Sequence, residues 1–193
     1  SKKLAESLDR LVLDVKFGQG AFMKSRKQAT ALAESMAAVG RQLGVQVETV
    51  LNPMDQPTGR SVGNALEVIE AVQCLAGNGP DDLLEAVLTL AEKVTAQTRD
   101  QLLAHLSNGS ALAKFQAIVS AQGGDPDSLF QLAETHRAPI IRELPAPDTG
   151  TVTALRADLI GQAAIELGSG RSRVDDSIDP TVGFDRLVKV GEQ

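Results

Sequence analysis

Leu11-Val12-Leu13-Asp14-Val15-Lys16-Phe17-Gly18-Gln19-Gly20-Ala21-Phe22-Met23 is the stretch on which the reading of this chain turns. Residues 11–17 form a short apolar run with β-branched valines, the pattern of a buried parallel strand. Gly18-Gln19-Gly20 then supplies the backbone freedom of a tight turn. Ser25 stands where a helix N-cap belongs, and the helix predicted after it runs to about Leu43, with Leu32, Met36, Val39 and Leu43 on one apolar face. Gly44 stops that helix, and residues 45–51 read as a second strand. Strand, helix and strand in this order make a βαβ unit, which requires parallel strands and favours a right-handed crossover.

Working outward, residues 52–63 are turn-rich, with two prolines and two glycines. Residues 64–75 predict a helix, because Ala65, Val68, Val72 and Leu75 recur at helical spacing. Pro80 opens another helix over 81–94, with Asp81 and Asp82 in its first turn as the helix dipole favours. Helical pieces are expected at 101–103, 111–119 and 128–133. Near Ala138 the composition changes. Strands are expected at 140–142 and 151–155, one helix at 158–167, and a strand-like end at 188–193. The fold class read from this order is α/β: part of a parallel βαβ sheet with flanking helices, followed by a small C-terminal α+β domain. The expected division is 1–9 as the tail of a helical domain, 10–137 as a partial α/β domain and 138–193 as an incomplete C-terminal α+β domain.

Bulk properties narrow the function classes. The 193 residues are 42% hydrophobic and 23% charged, with five Phe and no Trp or Tyr, so the core is built from aliphatic side chains. A net charge of −6 argues against a nucleic-acid partner. No apolar run approaches the ~20 residues of a membrane span, and no secretory leader is evident. Cys74 is the single cysteine and has no internal disulfide partner, which points to the reducing cytoplasm. The chain begins without Met and ends in strand-like sequence, so both ends are expected to be boundaries inside a longer protein.

Few residues carry a chemical signal by themselves. Gly18-Gln19-Gly20 is either a plain βα turn or a place where backbone approaches a ligand; it lacks the third Gly of a dinucleotide fingerprint and the Lys of a P-loop. Phe22 is either a core anchor for the following helix or a wall of a binding pocket, and Lys2 reads as a surface lysine. Thr58, Ser61 and Glu70 bring turn carbonyls and one helical carboxylate into one stretch, the oxygen chemistry that hard cations prefer; the plainer alternative is a helix start with an exposed glutamate. His105 and His136 lack partners at metal spacing and read as surface residues. Cys74, off the main apolar stripe of its helix, reads as an unreactive thiol. Residues 146–152 look like the opening of a biotinyl or lipoyl carrier module, but no hairpin with a modifiable Lys follows.

The blocks 1–6, 11–23, 54–60 and 62–71, with Gly168-Ser169-Gly170-Arg171 and Val182-Gly183-Phe184, occur in one order across the chain. Together they resemble thymidine and pyrimidine-nucleoside phosphorylases. The resemblance implies a helical domain and an α/β domain with the active site between them, and reversible phosphorolysis of a pyrimidine nucleoside to free base and (deoxy)ribose 1-phosphate. It implies phosphate as co-substrate, a potassium ion, and a cytoplasmic homodimer that engages neither nucleic acid nor membrane. By the same resemblance Lys2 contacts the pyrimidine carbonyl, Phe22 lines the base pocket, Thr58 and Ser61 offer carbonyls to the potassium ion, and Glu70 offers its carboxylate. Thr58 and Ser61 stand where Leu and Ala are commoner, changes that carbonyl ligation tolerates. No catalytic residue is expected within the chain, because the family's phosphate-binding residues and active-site histidine lie upstream of Lys2. The chain alone is therefore expected to be inactive, as the C-terminal part of such an enzyme. The alternative is a non-catalytic interaction module or paralogue of the same fold.

Overall fold

A computed structural model describes residues 8–171 and 173–193. Arg10–Phe17 (β1) and Gln46–Pro53 (β2) pair in parallel, with Arg10 opposite Gln46 and Phe17 opposite Pro53. Parallel neighbours need a crossover, and Arg26–Gln42 (α1) supplies it. Ser25 caps α1: its Oγ accepts from Gln28 N at 3.3 Å, and Gln28 Oε1 accepts from Ser25 N at 3.2 Å. Gly44, at φ +77°, provides the left-handed step after the helix.

The face of α1 that meets the strands is not the expected one. Ala29, Ala33, Ala37 and Gly40 are buried, whereas Leu32, Met36, Val39 and Leu43 are exposed. Both stripes obey helical spacing, so periodicity does not choose between them. Close approach does. A Cβ on Gly40 would lie 2.1 Å from Val47 Cγ2, and only the small stripe lets the helix sit this near the sheet. The core there joins Val15, Ala29 and Ala33 to Leu13, Phe17, Met23 and Leu51.

Asn64–Leu75 (α2), Asp81–Val94 (α3), Arg99–Ser107 (α4) and Ser110–Ala121 (α5) follow, then a 3₁₀ turn at Pro126–Gln131 and the short Leu132–Thr135 (α6). Helix α3 packs on both strands, while α2 packs on α5, α6 and the 3₁₀ turn. On α2 the buried set is Ala65, Glu70, Val72 and Cys74, so Cys74 lies inside and Val68, expected on the inner stripe, is exposed.

Beyond residue 137 the regular element among the described residues is Ala157–Leu167 (α7). The strands expected at 140–142 and 151–155 do not form: a strand needs a partner, and Ile140 and Leu144 are exposed. The segment is instead stitched on by single pairings. Val152 N donates to Glu192 O and Gly191 N to Val152 O, both at 2.9 Å. Val62 and Phe184 exchange two 2.8 Å bonds as an isolated antiparallel bridge. Leu187 N donates to Arg60 O, Ala65 N to Pro180 O and Ala157 N to Asp55 O. The architecture is α/β, a parallel strand pair with flanking helices, and its last third is anchored to the turn that follows β2.

Candidate functional site

That turn, residues 54–63, gathers three of the residues singled out in the sequence. Gly59 takes φ +75°, and a Cβ on it would lie 2.1 Å from Glu70 Oε2. The Glu70 carboxylate, carried by α2, therefore lies against the Gly59 backbone. Its Oε1 accepts from Arg60 N at 2.8 Å. Gly59 and Arg60 are the two residues between Thr58 and Ser61, so the fold brings Thr58, Ser61 and Glu70 to one place. Glu70 is 7% exposed, which sets aside the reading of an exposed helical glutamate.

No cationic side chain among the described residues pairs with Glu70. A buried carboxylate left without an opposite charge is costly. The carbonyl oxygens of Thr58 and Ser61 accept no hydrogen bond from any described residue. Glu70, buried and without a cation, lies against the turn whose Thr58 and Ser61 carbonyls take no donor, and carboxylate and carbonyl oxygens are the ligand type that hard cations prefer. Among the described residues no group of three or more His, Cys, Asp or Glu side chains is placed to hold a metal ion.

Sequence reasoning missed the side chains that hold this turn. Lys189 is 8% exposed, and its Nζ donates to Gly59 O at 2.7 Å and to Pro57 O, and pairs with Asp82 Oδ2 at 2.8 Å. Asp82 Oδ2 also accepts from Gly59 N at 3.2 Å. Arg60 Nη1 donates to Leu187 O and to Glu192 Oε2, each at 2.9 Å, and its Nη2 pairs with Glu192 Oε1. The Arg60 hydrogen bond, aided by Lys189 N–H, pulls the Glu192 carboxyl down to about 2. In the sequence, the available hint was a charged residue between two valines, Val188-Lys189-Val190.

A cleft of about 550 Å³ opens at the carboxyl ends of β1 and β2, lined among others by Lys16, Asn52, Asp55, Thr58, Asp82 and Arg156. Ligands of open α/β sheets bind at this end of the strands. Lys16 pairs with Asp14 at 2.8 Å, and Asn52 Nδ2 donates to Asp14 Oδ1 at 2.7 Å, which fixes two lining side chains across the strand pair. Gly18 and Gly20 turn inward onto this region. Gln19 N donates to Asp55 Oδ1 at 2.9 Å, and a Cβ on Gly20 would lie 2.7 Å from Ala157 Cβ. The glycines are thus required by close packing of the turn against Asp55 and α7.

Phe22 is 94% exposed, so it does not anchor the core, and it is not among the residues lining this cleft. Lys2 lies outside the described residues. His105 sits between Ser110 Oγ at 2.8 Å and Gln97 Oε1 at 2.9 Å, an arrangement without a carboxylate. Cys74 is buried, and burial raises its thiol pKa, with the Glu70 charge adding to it. Both effects disfavour a reactive thiolate.

The profile described as "Glycosyl transferase family, a/b domain" matches residues 1–120, and "Pyrimidine nucleoside phosphorylase C-terminal domain" matches residues 151–193. A pyrimidine-nucleoside phosphorylase of Bacillus subtilis (strain 168) is 42% identical over 202 residues, covering 100% of this chain and 47% of the relative. Those of Geobacillus stearothermophilus and Staphylococcus haemolyticus (strain JCSC1435) are each 40% identical over 201 residues, covering 100% of this chain and 46% of the relative. The chain thus spans about half the length of the curated relatives it matches. With residues 1–120 matched by its a/b domain, the chain belongs to this glycosyl transferase family, and its residues 151–193 resemble the C-terminal domain of pyrimidine nucleoside phosphorylases.

Proposed function

We propose that this chain is part of an enzyme that reversibly phosphorolyses pyrimidine nucleosides, thymidine among them, releasing the free base and a pentose 1-phosphate. The observation that carries this reading is the 42% identity, running through 100% of the chain, to a relative named as such a phosphorylase. In the reaction a phosphate oxygen bonds to the sugar C1′ while the C1′–N bond breaks, and the electron pair leaves on the base. Holding both reactants in line and stabilising the negative charge on the leaving base are what lower the barrier. Lys2 is assigned to the pyrimidine carbonyl, where its positive charge suits the departing base, and Phe22 to a wall of the base pocket.

Thr58 and Ser61, through their carbonyls, and Glu70, through its carboxylate, are assigned to a potassium ion. Bound there, the ion would supply a fixed positive charge that neutralises Glu70. The residues themselves keep the turn in one shape: Glu70 holds Arg60 N–H, and Gly59 leaves room for the carboxylate. Phosphate-binding groups are assigned to a part of the enzyme outside this chain, so the chain alone is proposed to be inactive. The whole enzyme is proposed to be a cytoplasmic homodimer acting on nucleoside and phosphate, without nucleic-acid or membrane partners. Among the described residues no helix is long and apolar enough to cross a membrane.

The test is base release from thymidine and uridine in the presence of phosphate, measured for the product of the complete gene and for this chain. Phosphate-dependent release by the former and none by the latter is expected. A well-folded complete protein that releases no base from either nucleoside overturns the reading.

A further inference from the structure

We propose that Lys189 is a positioning residue: from the C-terminal segment, its ammonium decides which carbonyls of the 57–61 turn remain free for a monovalent cation. The inference rests on the cation site assigned above to Thr58, Ser61 and Glu70. Lysine is among the side chains least often buried, because its ammonium must be fully satisfied once it leaves water. Here it is. Its donors reach Pro57 O, Gly59 O and the Asp82 carboxylate.

The consequence lies in what Lys189 leaves over. Pro57 O and Gly59 O are taken by the ammonium, and Arg60 O is taken by Leu187 N. Thr58 O and Ser61 O are the carbonyls of this turn without a donor among the described residues. Charge is divided in the same way. Lys189 is matched by Asp82 and Arg60 by Glu192, which leaves Glu70 as the buried carboxylate without a cation. Glu192 ties the Arg60 guanidinium to the Lys189 backbone, since it accepts from Lys189 N–H at 2.9 Å while holding Arg60. A bystander lysine would have a different effect from a positioning one. Deleting a bystander positive charge near a cation site strengthens cation binding, whereas deleting the group that orders the carbonyls weakens it.

The experiment follows melting of the complete gene product against KCl, with choline chloride at matched ionic strength as the control. A bound ion raises the melting temperature with its concentration. In the unmodified protein a potassium-specific rise is expected. In Lys189→Met, with unchanged circular dichroism, half-saturating KCl should move up about tenfold or more, the scale on which loss of an outer-shell partner weakens a metal site. Lys189→Arg should recover most of the affinity, because it keeps charge and donors. A folded Lys189→Met with equal or lower half-saturating KCl overturns the proposal while leaving the cation site standing. If the unmodified protein shows no potassium-specific rise, the cation site falls and the proposal with it. Should Lys189→Met fail to fold, Asp82→Asn, which removes the ammonium's carboxylate partner, must also raise half-saturating KCl; an unchanged value overturns the proposal.

Discussion

Gly63 and Gly183 face each other backbone to backbone. A Cβ on Gly183 would lie 2.1 Å from Val62 O, and one on Gly63 would lie 2.5 Å from Val182 O. The two-bond bridge between Val62 and Phe184 needs both positions bare, and it is where the C-terminal segment meets the start of α2.

Gly183→Ala should therefore weaken the attachment of the C-terminal segment. The obstructing atoms are backbone, which cannot swing aside as a flexible side chain would. A loss of about 1–3 kcal/mol is expected from forcing the backbone out of place. Urea unfolding measures it, and limited proteolysis should cut the variant faster near residue 183. An unfolding midpoint equal to that of the parent would contradict the close approach.

Acid should loosen the same attachment through Arg60 and Glu192. The Glu192 carboxyl falls from 4.5 to about 2 on folding, chiefly because Arg60 hydrogen-bonds it. A depressed folded-state pKa contributes stability that is complete above pH 4.5 and is lost as the pH falls towards 2. Glu192→Gln removes the titrating group. Its melting temperature should accordingly fall less steeply than the parent's over that window. Parallel slopes would show that the pair contributes nothing to acid sensitivity.

Gly59→Ala should strike the turn and Glu70 together. At φ +75° an alanine is strained, and its methyl would fall 2.1 Å from Glu70 Oε2. We expect a loss of about 1–3 kcal/mol in unfolding free energy. The potassium-dependent rise in melting temperature should also disappear, as it should in Glu70→Gln, whose cost in stability is read separately in choline chloride. A Gly59→Ala protein with full potassium response would detach Glu70 from the cation assignment.

Phe22→Ala separates folding from binding. The ring is 94% exposed, so truncation should alter unfolding free energy by no more than about 0.5 kcal/mol, as for ordinary surface changes. If Phe22 walls the base pocket of the complete enzyme, KM for thymidine should rise in the same variant. A KM equal to the parent's would remove Phe22 from the pocket.

The local signals of this chain were legible. The valine run of β1, the Ser25 cap, Gly44, and Pro80 before Asp81 and Asp82 each act within a few residues of themselves, and the elements they predict are present. Thr58, Ser61 and Glu70 were legible as a group because a turn and the helix after it are close in sequence as well as in space. Lys189 and Gly59 are not: 130 residues separate them. Nothing near Val188 or Val190 says that a lysine between them will be buried on a distant turn.

Up to residue 137 the sequence by itself determined the order of the main strands and helices and the principal caps and breaks, because these depend on residue types at short, regular spacing. The tertiary structure alone decided that α1 turns its alanines rather than its larger side chains to the sheet, since that choice depends on how near Val47 can stand to Gly40. It alone withheld the strands expected at 140–142 and 151–155, because a strand exists only where another backbone pairs with it. And it alone placed Lys189 on the carbonyls of Pro57 and Gly59, since burying an ammonium is tolerable only where the rest of the fold supplies its acceptors.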